Sequence, residues 1–302
     1  MTPPRVAAPP RFALTQAVLR TLAYADVFDY ALRLADVQRF LIAATGSASE
    51  TEAALEAGVR AGRFTHDNGL YSLCGRDEIL KLRPERERLS AELWRHARRW
   101  GAAMAGLPFV RMVAVTGALA MSNATSGDDD IDLLVITVPG RVWLARALCI
   151  SLVRVARRFG VNLCPNYVLS AAALEQSPRN LYIAHELAQM VPLSGFALYA
   201  RMMAANEWVL GFLPNSRVGG WEWVESRKYP LQGLGERVLS NGLGDRLERW
   251  ERERKQRKFA HEATHSAAAR LDADHVKGHF NDHGVRVLAE YERRLKQYQV
   301  ED

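Results

Sequence analysis

An acidic pair opens a strongly apolar, strand-like run near the middle of the chain. Asp130 and Asp132 flank Ile131 and lead directly into the apolar residues 133–136. Residues two apart on a strand point to the same face, so the two carboxylates project together while Ile131 is buried behind them. Two acids fixed on a rigid sheet edge repel each other, and a bound divalent cation relieves that repulsion. The spacing therefore predicts a β-strand that carries a cation site at its entry.

The residues before this pair add to the pattern. A strand-like stretch, 112–116, ends at Gly117, and a short apolar helix over 118–122 precedes the acidic loop. Glycine allows a close backbone approach to a phosphate, and the amides that open a helix can receive phosphate oxygens. A simpler reading stays open, since Ser/Gly/Asp clusters such as 126–130 are ordinary turn chemistry before a strand.

Gly117-Ala118, a spacer, and then Asp130-Ile131-Asp132-Leu133 together resemble the signature of the nucleotidyltransferase fold of the DNA polymerase β superfamily. The resemblance covers roughly residues 110–170 and implies an α/β (α+β) protein with a mixed β-sheet core flanked by helices. It further implies transfer of a nucleoside monophosphate from a nucleoside triphosphate to an acceptor, with release of pyrophosphate. By position, Asp130 and Asp132 become the catalytic ligands of Mg²⁺ or Mn²⁺. The implied nucleotide-binding residues are Gly117, Ala118, Ser122 and Asn123.

Two positions depart from that signature. The serine that usually follows the glycine is Ala118, so Ser122 or Asn123 would have to replace its hydroxyl. The third carboxylate, usually on a later strand, has no counterpart in residues 161–170, where Asn162 and Asn166 are the candidates. An amide oxygen can bind magnesium but cannot act as a base. Glu186 and Asp129 are the acids that could replace the missing group.

These departures leave two functions open. One is a metal-dependent nucleotidyltransferase whose acceptor, an RNA, a protein or a small molecule, is not identified by the sequence. The other is a catalytically inactive regulator or adaptor that keeps the fold to bind nucleotide, nucleic acid or a protein partner. Ala118 and the missing acid favour the second function, whereas retention of both Asp130 and Asp132 favours the first.

Length and composition predict several domains in a cytoplasmic protein. The 302 residues exceed the roughly 100–200 typical of one domain, and 48% are apolar. Residues 1–12 are rich in proline and alanine and lack a signal-peptide core, which predicts a disordered leader. The longest apolar helical stretch, 142–155, is interrupted by Arg146 and Arg154, so no membrane span is expected. Three scattered cysteines favour a reducing compartment.

Residues 13–76 predict a separate winged-helix-like module. Helical periodicity over 15–27 and 34–43 is followed by a third helix, which a Ser49–Glu52 capping box would open, and then by two strands around Asn68-Gly69. The third helix carries Glu50, Glu52 and Glu56 against Arg60, which is unfavourable for contact with a phosphate backbone. The sequence therefore favours a structural or protein-contact role for this module over sequence-specific DNA binding.

The rest of the chain is predicted to be mainly helical. A charged helix over 77–107 is predicted to link the module to a catalytic domain over 108–175. Residues 176–302 are predicted to form a helical C-terminal region. Two of its helices, over 181–193 and 195–212, would be joined by Pro192. Asn180, His185, Glu186 and Gln189 are candidate acceptor contacts there. The net charge of +6 permits an acidic partner, but the basic run 246–258 is balanced by glutamates, which is typical of an ion-paired, solvated helix.

One further motif, His261-Glu262-Ala263-Thr264-His265, matches the zinc-protease pattern. Its helix continues the highly charged residues 252–258, and neither the glycine nor the third histidine of the extended motif follows it. Five of the eight histidines fall in this tail, which makes a chance match easy. We therefore do not predict protease activity.

Overall fold

The computed structural model describes residues 13–216, 230–263, 270–277 and 283–300. The predicted leader, 1–12, lies outside these residues. The side chains of the His-Glu-x-x-His pattern also lie outside the described part of the chain. The structure describes only the backbone of His261, and it does not describe His265. Within these ranges, no helix combines the length and apolar character needed to cross a membrane.

The described chain is a mixed α/β protein, which confirms the predicted class. The helices are α1 Leu14–Asp26, α2 Leu34–Arg39, α3 Ala48–Arg60, α4 Asp77–Ala105, α5 Gly117–Ala120, α6 Val142–Arg157, α7 Leu181–Gln189, α8 Phe196–Ala205, α9 Val209–Phe212, α10 Pro230–Leu239, α11 Gly242–Ala263 and α12 His283–Gln297. The strands are β1 Leu32–Arg33, β2 Phe64–Asp67, β3 Leu70–Leu73, β4 Val110–Val115, β5 Ile131–Thr137, β6 Leu163–Ser170, β7 Val191–Ser194, β8 Arg270–Leu271 and β9 His275–Lys277.

The N-terminal elements follow the predicted order of three helices and a hairpin. Asn68 and Gly69 both have positive φ, 49° and 76°, as the two-residue turn between β2 and β3 requires. The predicted capping box was wrong by two residues. Ser47 accepts a hydrogen bond from the Glu50 amide at 3.2 Å and the Glu50 carboxylate accepts one from the Ser47 amide at 2.8 Å. Ser47 is the extended residue before α3, whereas Ser49 already lies inside the first turn.

The central sheet has six described strands in the order β7-β4-β5-β6-β9-β8. Strands β5 and β6 are parallel and every other neighbouring pair is antiparallel, so the sheet is mixed. Helices α4 and α6 cover one face through a cluster that includes Leu93, Trp100, Leu133 and Trp143. Because alternate residues of a strand face opposite sides, Leu134 and Ile136 enter the apolar cluster on the other face.

The prediction of two helices joined at Pro192 was wrong in one respect. Residues Val191–Ser194 form strand β7, which pairs with β4 at the edge of the sheet. Proline lacks an amide hydrogen, and an edge strand tolerates that loss because one of its sides has no partner strand. Strands β8 and β9 also belong to the region predicted as helical, since they extend the sheet beyond β6.

The N-terminal elements share one apolar cluster with the far end of the chain. Buried side chains of α1, among them Leu22 and Tyr24, pack in the same cluster as Leu187 of α7 and as Val287 and Tyr291 of α12. This packing brings the N-terminal helices against the sheet face that carries Leu134. A cavity lies between them.

Candidate functional site

Asp132 lies at the entry of β5 and lines this cavity, which has a volume of about 490 Å³. Ile131 and Leu133, on either side of it, are fully buried in the opposite cluster. The Asp132 carbonyl accepts a hydrogen bond from the Thr116 amide at 3.0 Å, which fixes the end of β4 beside the carboxylate. Asp130 precedes the strand and is exposed. Strand alternation therefore acts as predicted for Asp132, whereas Asp130 does not line the cavity.

Gly117 touches the Asp132 carboxylate. Its φ is +65°, and a Cβ built at this position would lie 2.4 Å from Asp132 Oδ2. No side chain fits there without moving that carboxylate, so the glycine is required both by conformation and by space. The sequence predicted a close approach at Gly117, and the atom approached is the Asp132 oxygen.

Asn166 is the polar partner of Asp132. Its Nδ2 donates a hydrogen bond to Asp132 Oδ1, and its Oδ1 accepts one from Cys164 Sγ at 2.7 Å. Between β5 and β6 the register runs from Asp132↔Cys164 to Leu134↔Tyr167, so β6 contains one extra residue at this point. Such a bulge re-aims a side chain, and here it includes Pro165, which cannot donate to the ladder.

Asn162, the other amide proposed for the third position, is placed elsewhere. Its Nδ2 donates to the Asp128 carbonyl at 3.0 Å, and its own carbonyl accepts from the Ile131 amide at 2.7 Å. Asn162 does not line the cavity. Its observed role is to hold the acidic loop against the start of β6.

Burial raises the pKa of Asp132 to about 6. The hydrogen bond from Asn166 acts in the opposite direction, and the negative charges of Asp130 and Asp129 add to the rise. A buried carboxylate with acidic neighbours and one amide donor carries poorly compensated charge. This is an environment that a cation would stabilise.

Glu186 of α7 lines the same cavity as Asp132. Burial raises its pKa to about 7, and the negative charge of Asp132 contributes further, whereas Lys277 and a hydrogen bond with Tyr182 lower it. The pKa of Tyr182 is raised by its own burial and then by the charge of Glu186. Helix α7 therefore contributes an acid to the cavity that Asn166 of β6 also lines.

The remaining candidates differ in their position. Ala118 and Asn123 line the cavity, whereas Ser122 and Asp129 do not. Both ends of the Asn123 amide are used, since Oδ1 accepts from Arg86 at 2.8 Å and Nδ2 donates to the Phe28 carbonyl at 3.1 Å. The Asp129 carboxylate accepts from the Thr125 amide at 2.6 Å within the acidic loop. Asn123 therefore ties this loop to α4 and to the N-terminal elements.

The polar side chains of the cavity that sequence reasoning missed include Tyr182, Lys277 and Arg286. Lys277 comes from β9, a three-residue strand whose alternation is too short to recognise in a sequence. Tyr182 lies one helical turn before Glu186, and this i,i+4 spacing was the signal that could have identified it.

In the part of the chain that the structure describes, no group of three or more His, Cys, Asp or Glu side chains is arranged to hold a metal ion. Asp132 lines the cavity, and the exposed Asp130 acts on it through its negative charge from outside the lining. Magnesium is commonly bound by one or two carboxylates, with phosphate oxygens and water as the other ligands. The donor set therefore fits one Mg²⁺ that arrives with a phosphate-bearing substrate.

In comparisons with known proteins, no family model, no curated protein and no solved structure matches the chain.

Proposed function

We propose that the protein is a metal-dependent nucleotidyltransferase, which moves a nucleoside monophosphate from a nucleoside triphosphate to a hydroxyl-bearing acceptor. The observation that carries this proposal is the presence of Asp132 and Glu186 in one cavity, with Gly117 in contact with the first of them. Two acids in different environments can divide the work of metal binding and proton transfer.

Asp132 and Asp130 would hold the magnesium ion. When bound, the ion would supply neutralisation of the triphosphate charge and polarisation of the α-phosphate. Gly117 lets the backbone approach the Asp132 carboxylate closely, and Lys277 and Arg286 line the same cavity with positive charge. This combination of two acids and two cations suits a triphosphate that is brought in with its metal.

Glu186 is the residue we assign as general base. The acceptor oxygen would form a bond to the α-phosphorus, its proton would pass to the Glu186 carboxylate, and the bond from the α-phosphorus to the bridging oxygen would break to release pyrophosphate. A base is most effective when its pKa lies near the working pH, and the pKa of Glu186 is raised to about 7 by burial. Tyr182 would keep the carboxylate in place through its hydrogen bond.

The alternative function is a nucleotide-binding regulator without catalysis. Ala118 favours it, because a methyl group lines the cavity where the resemblance calls for a hydroxyl. Asn166 also favours it, since an amide lies beside Asp132 where the resemblance calls for an acid. In this reading Asp130 and Asp132 bind the metal and nucleotide, and Glu186 has no chemical task.

The test is an incubation of the full-length protein with α-labelled nucleoside triphosphates, Mg²⁺ and mixed RNA, protein and small-molecule acceptors. Label transfer that stops with a chelator and in Asp132→Asn supports the proposal. Asp128→Asn is the matched control, since Asp128 lies in the same loop but is exposed and outside the cavity. Transfer that survives Asp132→Asn would overturn the proposal. Magnesium-dependent nucleotide binding without any transfer would support the regulator instead.

A further inference from the structure

The cavity at Asp132 has two chemically different halves. One half is formed by the strand ends and α7 and contains Asp132, Asn166 and Glu186. The other half is apolar and is formed largely by the N-terminal elements. Its aromatic and aliphatic lining residues are Tyr24, Phe28, Tyr30, Leu32 and Phe40.

Two aromatic side chains of the apolar half, Tyr24 and Tyr30, are held in place by contacts with neighbouring residues. Tyr24 stacks on His185, with ring centroids 3.8 Å apart and planes 13° from parallel. Tyr30 donates a hydrogen bond to the Met121 carbonyl and lies beneath the buried guanidinium of Arg83, whose Cζ is 4.0 Å from the ring centroid. These rings are therefore fixed before any ligand arrives, which lowers the entropy cost of binding.

His185, which stacks on Tyr24, adds a neutral imidazole ring to the cavity lining. It lines the cavity, and burial lowers its pKa to about 4, so its ring is neutral near pH 7. His185 Nδ1 lies 3.0 Å from the Leu181 carbonyl oxygen, which can only accept. Nδ1 must then carry the proton, and Nε2 is left as an acceptor. A hydroxyl is the simplest group that donates to such a nitrogen while its carbon skeleton remains in apolar surroundings.

The size of the cavity argues for a small ligand. Its volume of about 490 Å³ falls within the roughly 300–1,000 Å³ typical of small-molecule sites. A polynucleotide acceptor requires a basic groove that follows its backbone. The lining instead combines Lys277 and Arg286 with the acids Asp132 and Glu186.

We infer that the N-terminal elements form an acceptor subsite, and that the acceptor is a small aromatic or apolar compound with a hydroxyl group. The assignment of this subsite to the acceptor rests on the proposed function. Binding of a small compound to the subsite can nevertheless be tested without turnover. It assigns the N-terminal elements a part in substrate binding, in addition to the structural role predicted from the sequence.

The experiment measures two binding events separately on the full-length protein. The first is binding of 2-naphthol, a small aromatic alcohol, and the second is binding of Mg²⁺ with a non-hydrolysable nucleoside triphosphate. Ala25→Leu adds bulk to the apolar half, since Ala25 is a buried lining residue of α1. Thr15→Leu is the control, because Thr15 is an exposed residue of the same helix outside the cavity.

We expect Ala25→Leu to weaken 2-naphthol binding by about tenfold or more, through loss of buried apolar contact, and to leave magnesium–nucleotide binding within about twofold. Asp132→Asn should do the opposite. If Ala25→Leu does not fold, Ile183→Phe fills the cavity from the opposite wall, since Ile183 of α7 also lines it.

Three outcomes would separate the two proposals. If 2-naphthol does not bind, or binds Ala25→Leu as well as the unaltered protein, the subsite is refuted. If Ala25→Leu weakens both ligands equally, the apolar half holds the nucleotide and the acceptor assignment is wrong. If nucleotide never binds but 2-naphthol binding is sensitive to Ala25→Leu, the subsite stands and the proposed transferase function fails.

Discussion

The Gly117 backbone and the Asp132 carboxylate are packed so closely that one methyl group cannot enter between them. A Cβ at Gly117 would be 2.4 Å from Asp132 Oδ2, and the backbone there has a φ of +65°. The turn after β4 and the acid at the start of β5 therefore form one unit. Any change in the turn is transmitted directly to the carboxylate.

Gly117→Ala tests this unit. We expect a loss of about 1–3 kcal/mol in unfolding free energy from the strained backbone and the displaced carboxylate, together with loss of magnesium-dependent stabilisation. Gly160→Ala is the matched control, since Gly160 has a φ of +72° but nothing within 4 Å of its added Cβ. Thermal melts of both variants, with and without Mg²⁺ and nucleotide, would measure the loss of stability and the loss of the magnesium-dependent stabilisation. If both variants lost the stabilisation by magnesium to the same extent, the close approach of Gly117 to Asp132 would not be needed for magnesium binding.

Asn166→Asp tests whether the amide beside Asp132 occupies the place of a missing acid. A carboxylate there removes the donor to Asp132 and adds a like charge, so we expect lower stability in the absence of metal. Magnesium should then raise the melting temperature more than in the unaltered protein. Asn162→Asp is the control, because Asn162 contacts the Asp128 carbonyl away from the cavity. A magnesium response unchanged from the unaltered protein would show that position 166 is not a ligand position.

Glu186→Gln should stabilise the protein at alkaline pH while it impairs transfer. The pKa of Glu186 is raised from 4.5 to about 7 by burial. A raised carboxyl pKa means that the folded form is favoured when the group is protonated, and that this stability is lost as pH rises through 7. Glutamine keeps an oxygen to accept from Tyr182 and removes the ionisation. We expect the variant and the unaltered protein to have the same free energy of unfolding near pH 4. Near pH 8 the free energy of unfolding of the variant should be higher by on the order of 2 kcal/mol, a figure reduced to allow for residual solvation of Glu186.

Denaturant unfolding at the two pH values would measure this difference. Glu175→Gln is a suitable control, since Glu175 is exposed and pairs with Arg179 on the surface. A Glu186→Gln variant no more stable than the unaltered protein at pH 8 would show that Glu186 is adequately solvated or paired.

His185 should make the protein sensitive to mild acid. Burial lowers its pKa from 6.5 to about 4. The unfolded chain takes up the proton first, so stability is full above pH 6.5 and falls as the pH drops towards 4, by on the order of 3 kcal/mol. His185→Phe keeps an aromatic ring beside Tyr24 but does not titrate, and we expect its acid sensitivity in this range to be reduced. Parallel slopes of stability against pH from 6.5 to 4 would contradict this account.

Much of the fold followed from local patterns in the sequence. The Asn68-Gly69 turn was predictable because only a few residues adopt two successive positive φ angles, and the hairpin forms there as expected. The long helix α4 was predictable from its apolar stripe, in which Leu93, Ala97 and Trp100 are buried. Strand β7 was missed, since four residues that contain a proline carry no strand signal and pairing with β4 alone makes them a strand.

The sequence by itself determined that Asp132 lies at the start of a buried strand after a glycine turn, because strand alternation and turn chemistry are local properties. It left Asn162, Asn166, Glu186 and Asp129 as candidates for the third group. Only the tertiary structure decided which of them line the cavity with Asp132. A bulge in β6 brings Asn166 to Asp132, and packing of α7 against the sheet brings Glu186 into the same cavity. Strand register and helix packing depend on contacts between residues distant in the chain, which local patterns do not encode.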